Sequence, residues 1–183
     1  IIAGIYTPDQ GEIRVKGRAL TLHGPLDALN QGIAMIHQEL NLADNLEVGA
    51  NIFLGREPRR MGVIDNAIIN RNAAALLQRI GLNVTPDTLV KELTIGQQQM
   101  VEIAKAVSYR GSVIIMDEPT SSLTPAETDA LFAIIRSLKA AGKGVVYISH
   151  RLEELEKITD RITVLRDGEY VQTLKTTETS IPE

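Results

Sequence analysis

The apolar residues of this chain form two patterns, uninterrupted runs and repeats at spacings of three and four positions. Together the two patterns predict an α/β fold. Three apolar runs are uninterrupted and end in polar side chains, namely residues 32–36, 113–116 and 144–149. Continuous apolar strands are typical of a parallel sheet that is covered on both faces. We therefore predict a mostly parallel sheet with helices between its strands.

Apolar residues spaced by three and four positions predict helices between these runs. One helix is predicted to begin at a cap on Asn70, and another to begin near Gly96. A third is predicted to begin at the cap Thr124, because Pro125 follows at the first helical position and Glu127 completes a capping box. Since this helix lies between two apolar runs, we expect a strand–helix–strand crossover here.

Both ends of the chain carry turn signals. Residues 12–16 predict a short strand, and residues 161–174 predict a hairpin around Asp167-Gly168. Residues 1–4 are interpreted as the end of a helix that Gly4 terminates. From this start we expect the chain to be a fragment.

Composition narrows the possible functions. The 183 residues are 44% hydrophobic and 23% charged, as in a globular domain with a core. A formal net charge of -4 and the absence of Trp disfavour nucleic acid as a partner. The absence of Cys excludes disulfides and thiolate chemistry. No apolar run reaches membrane-spanning length, so we expect any membrane association to come through a partner.

Polar residues follow each of the three apolar runs, where ligands gather in an open α/β sheet. Gln38 follows the first run, Asp117 and Glu118 the second, and His150 the third. Gln38 could be a ligand of Mg²⁺ or water, or an amide satisfied within a loop. His150 could contact a phosphate, or be a surface histidine at a strand end.

The pair Asp117-Glu118 is the more specific signal. An apolar strand that ends in Asp is the arrangement in which a carboxylate helps to hold Mg²⁺ on nucleotide phosphates. The next acid, Glu118, could then orient and deprotonate an attacking water. Alternatively, the two acids open a solvated turn before Pro119. The continuation Pro-Thr-Ser-Ser-Leu at residues 119–123 favours the first interpretation.

A second group of candidate residues is Thr94, Gly96 and Gln97, which lie directly at the start of a predicted helix. A small hydroxyl residue and a Gly at this place present free N–H groups and the positive end of the helix dipole, which suits an anion. The alternative is ordinary capping by Thr94, and the two interpretations are compatible.

In this order, the segments resemble the motifs of the ATP-binding cassette (ABC) ATPases over the whole length of the chain. Residues 36–39 resemble the Q-loop, residues 93–97 the signature motif and residues 113–118 the Walker B motif with its catalytic Glu118. Ser121, Ser122, Leu123 and Thr124 resemble the D-loop, and His150 resembles the switch histidine.

The resemblance implies a P-loop NTPase-like core at residues 1–60 and 112–183, with a helical subdomain at residues 61–111. It implies ATP and Mg²⁺ as cofactors, with Asp117 and Gln38 at the metal and Glu118 and His150 as catalytic residues. Thr94, Gly96 and Gln97 would contact the phosphate held by a second cassette.

Residues 37–42, 51–57, 99–106 and 146–151 are most similar to the first cassette of bacterial monosaccharide importers. This implies a second cassette in the same polypeptide, permease subunits, a periplasmic sugar-binding protein acting indirectly, and a place at the cytoplasmic face of the inner membrane. Three alternatives stay open: a nucleoside or autoinducer importer, a soluble ABC ATPase outside transport, and a cassette that does not hydrolyse ATP.

The chain departs from the family pattern in three places. It contains no Gly-x-x-x-x-Gly-Lys-Ser/Thr loop, which we expect to have been lost by truncation. Ile95 stands where the signature motif usually has its first Gly, and Thr124 replaces the usual D-loop Asp. Thr caps a helix comparably well, so the fold is expected to survive the second replacement.

The missing loop predicts that the 183-residue chain has no measurable affinity for ATP. Each charge-assisted hydrogen bond to a phosphate contributes roughly 1.5–3 kcal/mol, so losing about four of them costs on the order of 6–12 kcal/mol. Micromolar binding amounts to only about 8 kcal/mol in total. Isothermal titration calorimetry checks this, and a micromolar dissociation constant would contradict it.

Overall fold

A computed structural model describes residues 1–109 and 111–178, so Arg110 and residues 179–183 of the predicted domains lie outside the described residues. The helices and strands in chain order are β1 (Ile13–Val15), β2 (Arg18–Leu20), α1 (Pro25–Asn30), β3 (Ile33–Ile36), α2 (Val48–Phe53), β4 (Arg59–Arg60), β5 (Val63–Ile64), α3 (Asn66–Arg79), α4 (Ile95–Ser108), β6 (Val113–Asp117), α5 (Pro125–Ala140), β7 (Gly144–Ile148), α6 (Leu152–Ile158), β8 (Arg161–Arg166) and β9 (Glu169–Lys175). Short 3-10 turns lie at Val90–Glu92 and Thr176–Glu178.

The centre of the fold is a three-stranded parallel sheet in the order β3-β6-β7. Ile36 is in register with Met116, and Asp117 with Ile148. The strands are the three apolar runs of the sequence, and β6, α5 and β7 form the predicted strand–helix–strand unit. The predicted α/β fold with a parallel sheet is confirmed.

The two faces of this sheet belong to two hydrophobic clusters. Ile114 and Met116 face the main core with α4 and α5, whereas Ile33 and Ile115 pack with Leu22 beside α1. Strands β3 and β6 are therefore covered on both faces, as predicted for continuous apolar runs.

The same prediction is wrong for β7. Its side chains alternate between half-buried and exposed, and Val146 and Ile148 remain 40% and 46% exposed. The physical reason is that the described residues pack against only one face of β7, through the half-buried Val145 and Tyr147. Periodicity alone could not distinguish this strand from β6.

Two of the three predicted helix starts are confirmed. Thr94 and Thr124 both cap their helices, each with a complete capping box. The predicted cap at Asn70 is wrong, because α3 begins one turn earlier at Asp65, whose side chain accepts a hydrogen bond from the backbone N–H of Ile68. Ile69 is already buried on this helix, so its apolar face starts before Asn70.

Three hairpins surround the sheet, β1–β2, β4–β5 and β8–β9. Each is closed by two residues with positive φ, which suits the twist of the strands. The pair Asp167-Gly168 has φ values of 53° and 81°, so the predicted turn is confirmed. Residues 1–4 form a turn in which the Gly4 N–H donates to the Ile1 carbonyl and Gly4 has a φ of 77°. That these residues end a helix stays a prediction.

Helices α2, α3 and α4 pack against one another and form the helical part of the fold. Helix α2 precedes residue 61, so this packing extends further toward the N-terminus than the predicted helical subdomain. The division at residue 61 stays a prediction. Within the described ranges, every helix is too short or too polar to cross a membrane.

Candidate functional site

The parallel register brings the three predicted strand ends to one edge of the sheet. Gln38 lies two residues beyond Ile36, and Asp117 lies one residue beyond its partner Met116. His150 in turn lies two residues beyond Ile148, which pairs with Asp117. The predicted polar residues therefore share the edge at which α/β sheets bind ligands.

Glu118 and His150 are in direct contact at this edge. Nδ1 of His150 lies 2.9 Å from Oε1 of Glu118. The backbone of Glu118 reinforces the position, because its N–H donates to the carbonyl of Ile148 at 3.0 Å. Both side chains stay accessible, with 29% of Glu118 and 72% of His150 exposed. A polar ligand can therefore reach both groups.

Glu118 also has an unusual backbone conformation. Its φ is 44°, in the left-handed region that side chains other than Gly rarely adopt. Such conformations cost about 1–3 kcal/mol and persist where the surroundings hold them. Here the hydrogen bond to Ile148 and a second one from the N–H of Ser121 to the Glu118 carbonyl hold the turn.

Asp117 and Gln38 have the oxygen chemistry that Mg²⁺ requires. Asp117 is half-buried at the end of β6, and Gln38 is exposed at the end of β3. Protein Mg²⁺ sites use one or two such ligands and complete the shell with phosphate oxygens and water. Over residues 1–109 and 111–178, no group of three or more acidic or histidine side chains could hold an ion alone.

The loop after Gln38 is anchored by two residues of α4 that the sequence analysis missed. The backbone N–H of Asn41 donates to Oε1 of Glu102 at 3.0 Å, and Nζ of Lys105 donates to the Asn41 carbonyl at 3.0 Å. Glu102 is only 8% exposed. In the sequence, Glu102 and Lys105 are three residues apart, which places them on one face of a helix. This spacing does not show that Glu102 is buried.

The predicted signature residues form the N-terminus of α4. The Gln97 N–H donates to the Thr94 hydroxyl, and the Gln97 side-chain oxygen accepts from the Thr94 N–H. Gly96 is buried between them. None of the described hydrogen bonds joins Thr94 or Gln97 to Glu118 or His150. The structure therefore brings the strand-end residues together and leaves the signature residues as a separate group.

The predicted D-loop connects the two groups. Ser121 is exposed, Ser122 and Leu123 are half-buried, and Leu123 packs against the main core. Thr124 is engaged by Glu127, which accepts hydrogen bonds from both the N–H and the hydroxyl of Thr124 at 2.8 Å. The same carboxylate lies against Gly96, so the starts of α4 and α5 are in contact.

The profile of the ABC transporter family matches residues 1–121. The chain belongs to this family. Relatives in Burkholderia cenocepacia, Ralstonia nicotianae and Agrobacterium fabrum are 55%, 53% and 53% identical over 94%, 94% and 97% of this ABC chain. Each is named as a candidate ribose/galactose/methyl galactoside import ATP-binding protein. The chain spans 33% to 35% of the length of these relatives.

Solved structures show the same fold. A nucleotide-free ATP-binding cassette from an ABC transporter superimposes with a TM-score of 0.81 at 22% identity, over 95% of this chain and 73% of that one. A dimeric post-hydrolysis cassette bound to ADP and Pi superimposes with a TM-score of 0.79 at 22% identity, over 95% and 77% of the chains. The ABC chain thus has the cassette fold.

The contact between Gly96 and Glu127 predicts an interaction that a double-mutant cycle can measure. An added Cβ at Gly96 would lie 2.6 Å and 2.9 Å from the two carboxylate oxygens of Glu127. Gly96→Ala should displace Glu127 from its capping box and lower the free energy of unfolding by about 1 kcal/mol, the typical value of a cap.

In a Glu127→Ala background, Gly96→Ala should instead be neutral or stabilise by up to about 1 kcal/mol, because Ala favours a helix over Gly. Urea unfolding of the natural full-length protein and its three variants measures the coupling. Additive effects of the two substitutions would contradict the contact.

Proposed function

We propose that the protein is the ATP-binding and ATP-hydrolysing subunit of a bacterial ABC importer that couples hydrolysis to monosaccharide uptake. The observation that carries this proposal is the contact between Glu118 and His150, at the edge that also presents Asp117 and Gln38. The sugar-import names of relatives at 53% to 55% identity support the class of substrate.

In the proposed reaction, Glu118 acts as the general base. Its carboxylate orients a water for attack on the terminal phosphate of ATP and accepts a proton from that water. The new P–O bond forms as the bond from the terminal phosphorus to the bridging oxygen breaks, and this oxygen leaves with ADP. His150, on the neighbouring strand end, donates a hydrogen bond to the same phosphate. Asp117 and Gln38 would hold Mg²⁺, which would neutralise part of the phosphate charge. Both side chains of the Glu118–His150 pair are accessible enough for this role.

A second cassette is proposed to complete the site, fused in the same polypeptide. The N-terminus of α4 has 14 residues of helix behind it, and its first N–H groups belong to Ile95 and Gly96, because the Thr94 N–H donates to the Gln97 side chain. Such a terminus favours an anion, which here would be the terminal phosphate held by the second cassette. The D-loop, Ser121 to Thr124, would lie in the same interface.

Permease subunits are proposed to contact the loop after Gln38, at the cytoplasmic face of the inner membrane. A groove of about 340 Å³ lies beside this loop, lined by Asn41, Glu102 and Lys105 among others. Because Glu102 and Lys105 bind the backbone of Asn41, a force on the loop would be transmitted to α4. A periplasmic sugar-binding protein would act through the permease only.

The role of Glu118 predicts a specific loss of turnover. In the natural full-length protein, Glu118→Gln should lower the rate of ATP hydrolysis by about 10²- to 10⁴-fold, because the amide cannot accept the proton. Nucleotide binding should persist, since the amide retains the size and polarity of the side chain. Steady-state phosphate release and nucleotide titration measure the two quantities.

The matched control is Glu153→Gln, an exposed glutamate at the start of α6 whose substitution should leave the rate unchanged. A Glu118→Gln protein that binds ATP and hydrolyses it at nearly the wild-type rate would overturn the assignment of the base.

A further inference from the structure

Glu154 is a buried carboxylate on α6 that the proposed reaction does not use. It is 7% exposed, whereas its neighbour Glu153 points to solvent. Leu155 and Ile158 lie on the same buried side of the helix. A carboxylate is rarely buried unless hydrogen bonds or charges compensate for the loss of water. The partners of Glu154 are therefore informative.

Four side chains donate to this one carboxylate. The Thr120 hydroxyl lies 2.9 Å and 3.0 Å from its two oxygens, and the Tyr147 hydroxyl lies 2.8 Å from Oε2. The Ser149 hydroxyl lies 3.2 Å from Oε2, and Nη1 of Arg151 lies 3.3 Å from Oε1. The donors come from three places, namely the turn after β6, strand β7 and the loop after β7.

Two of these donors adjoin the proposed catalytic pair. Thr120 lies two residues after Glu118, and Ser149 directly precedes His150. Ser149 also accepts a hydrogen bond from the Arg151 N–H at 3.0 Å, so both flanks of His150 are held. We propose that Glu154 is a positioning residue, which fixes the turn of Glu118 and the loop of His150 relative to each other. This inference rests on the proposed ATP hydrolysis.

The charge of Glu154 suits this role. Burial alone would raise the pKa of Glu154, but the hydrogen bonds from Tyr147, Thr120, Ser149 and Arg151 outweigh burial and hold its pKa below the ordinary value. Burial and the contact with Glu154 raise the pKa of Tyr147 above its usual range, so its hydroxyl remains a donor. At neutral pH the carboxylate is thus an acceptor for all four donors.

The positioning role predicts a loss of turnover without loss of substrate affinity. In the natural full-length protein, Glu154→Gln should lower kcat for ATP hydrolysis by about 10- to 100-fold, because small misplacements of reacting groups have effects of this size. KM for ATP should stay within about threefold, since no ATP contact is removed. The control Glu156→Gln removes an exposed charge from the same helix and should leave both constants unchanged.

Single-donor variants keep the test decisive if Glu154→Gln does not fold. Thr120→Val and Ser149→Ala each remove one hydroxyl and should lower kcat by about three- to tenfold, as the anchor of one loop is loosened. Thr120→Ser restores the hydroxyl and should recover part of the loss seen with Thr120→Val. Wild-type kcat in both Thr120→Val and Ser149→Ala would overturn the proposal.

A second readout does not depend on activity. The protein is labelled with ¹³C-histidine, and the imidazole signal of His150 is assigned by its loss in His150→Gln. This signal should shift in Glu154→Gln, while the signals of His23 and His37 should not. A folded Glu154→Gln protein with an unchanged His150 signal, or with an altered KM and normal kcat, contradicts the positioning role. If the wild-type protein does not hydrolyse ATP, the proposed function fails and the histidine signals alone decide the role of Glu154.

Discussion

The parallel register of β3, β6 and β7 is the constraint on which the rest of this structure depends. It aligns Ile36 with Met116 and Asp117 with Ile148, so polar residues that are far apart in sequence meet at one edge of the sheet. A shift of one residue in β7 would turn its alternating side chains to the opposite faces and move His150 away from Glu118. Val145 and Tyr147 oppose such a shift, because they pack against the main core and would turn to the exposed face.

Register brings the strand ends together, but carboxylates on three helices hold the loops that follow. Each carboxylate accepts hydrogen bonds from the loop that packs beside its helix. Glu102 holds the Gln38 loop, Glu127 holds the D-loop, and Glu154 holds the loops of Glu118 and His150. Since hydrogen bonds to a charged acceptor are stronger than neutral ones, each carboxylate can order the segment that donates to it. The edge of the sheet thus presents half-buried and exposed functional groups on loops that these carboxylates hold.

The sequence predicted the sheet and the strand-end residues because uninterrupted apolar runs and capping boxes are strong local signals. Predictions from the sequence were incomplete where burial decides which strand face or which side chain is exposed to solvent. The exposed face of β7 follows from the lack of packing on that face among the described residues, which no pattern in residues 144–148 reveals. Likewise Glu153 and Glu154 are adjacent and chemically identical, and only the packing of α6 distinguishes the solvated residue from the buried one. The earlier start of α3 was missed because Asp65 and Asn70 are both good caps.

The most direct test of this account is a structure of the natural full-length protein, carrying Glu118→Gln, with ATP and Mg²⁺ bound. A site for ATP at this edge predicts that the terminal phosphate lies beside the ends of β3, β6 and β7, with His150 within hydrogen-bond distance of it and with Asp117 and Gln38 at the metal. A nucleotide whose terminal phosphate lies away from His150, or a metal that contacts neither Asp117 nor Gln38, would contradict it.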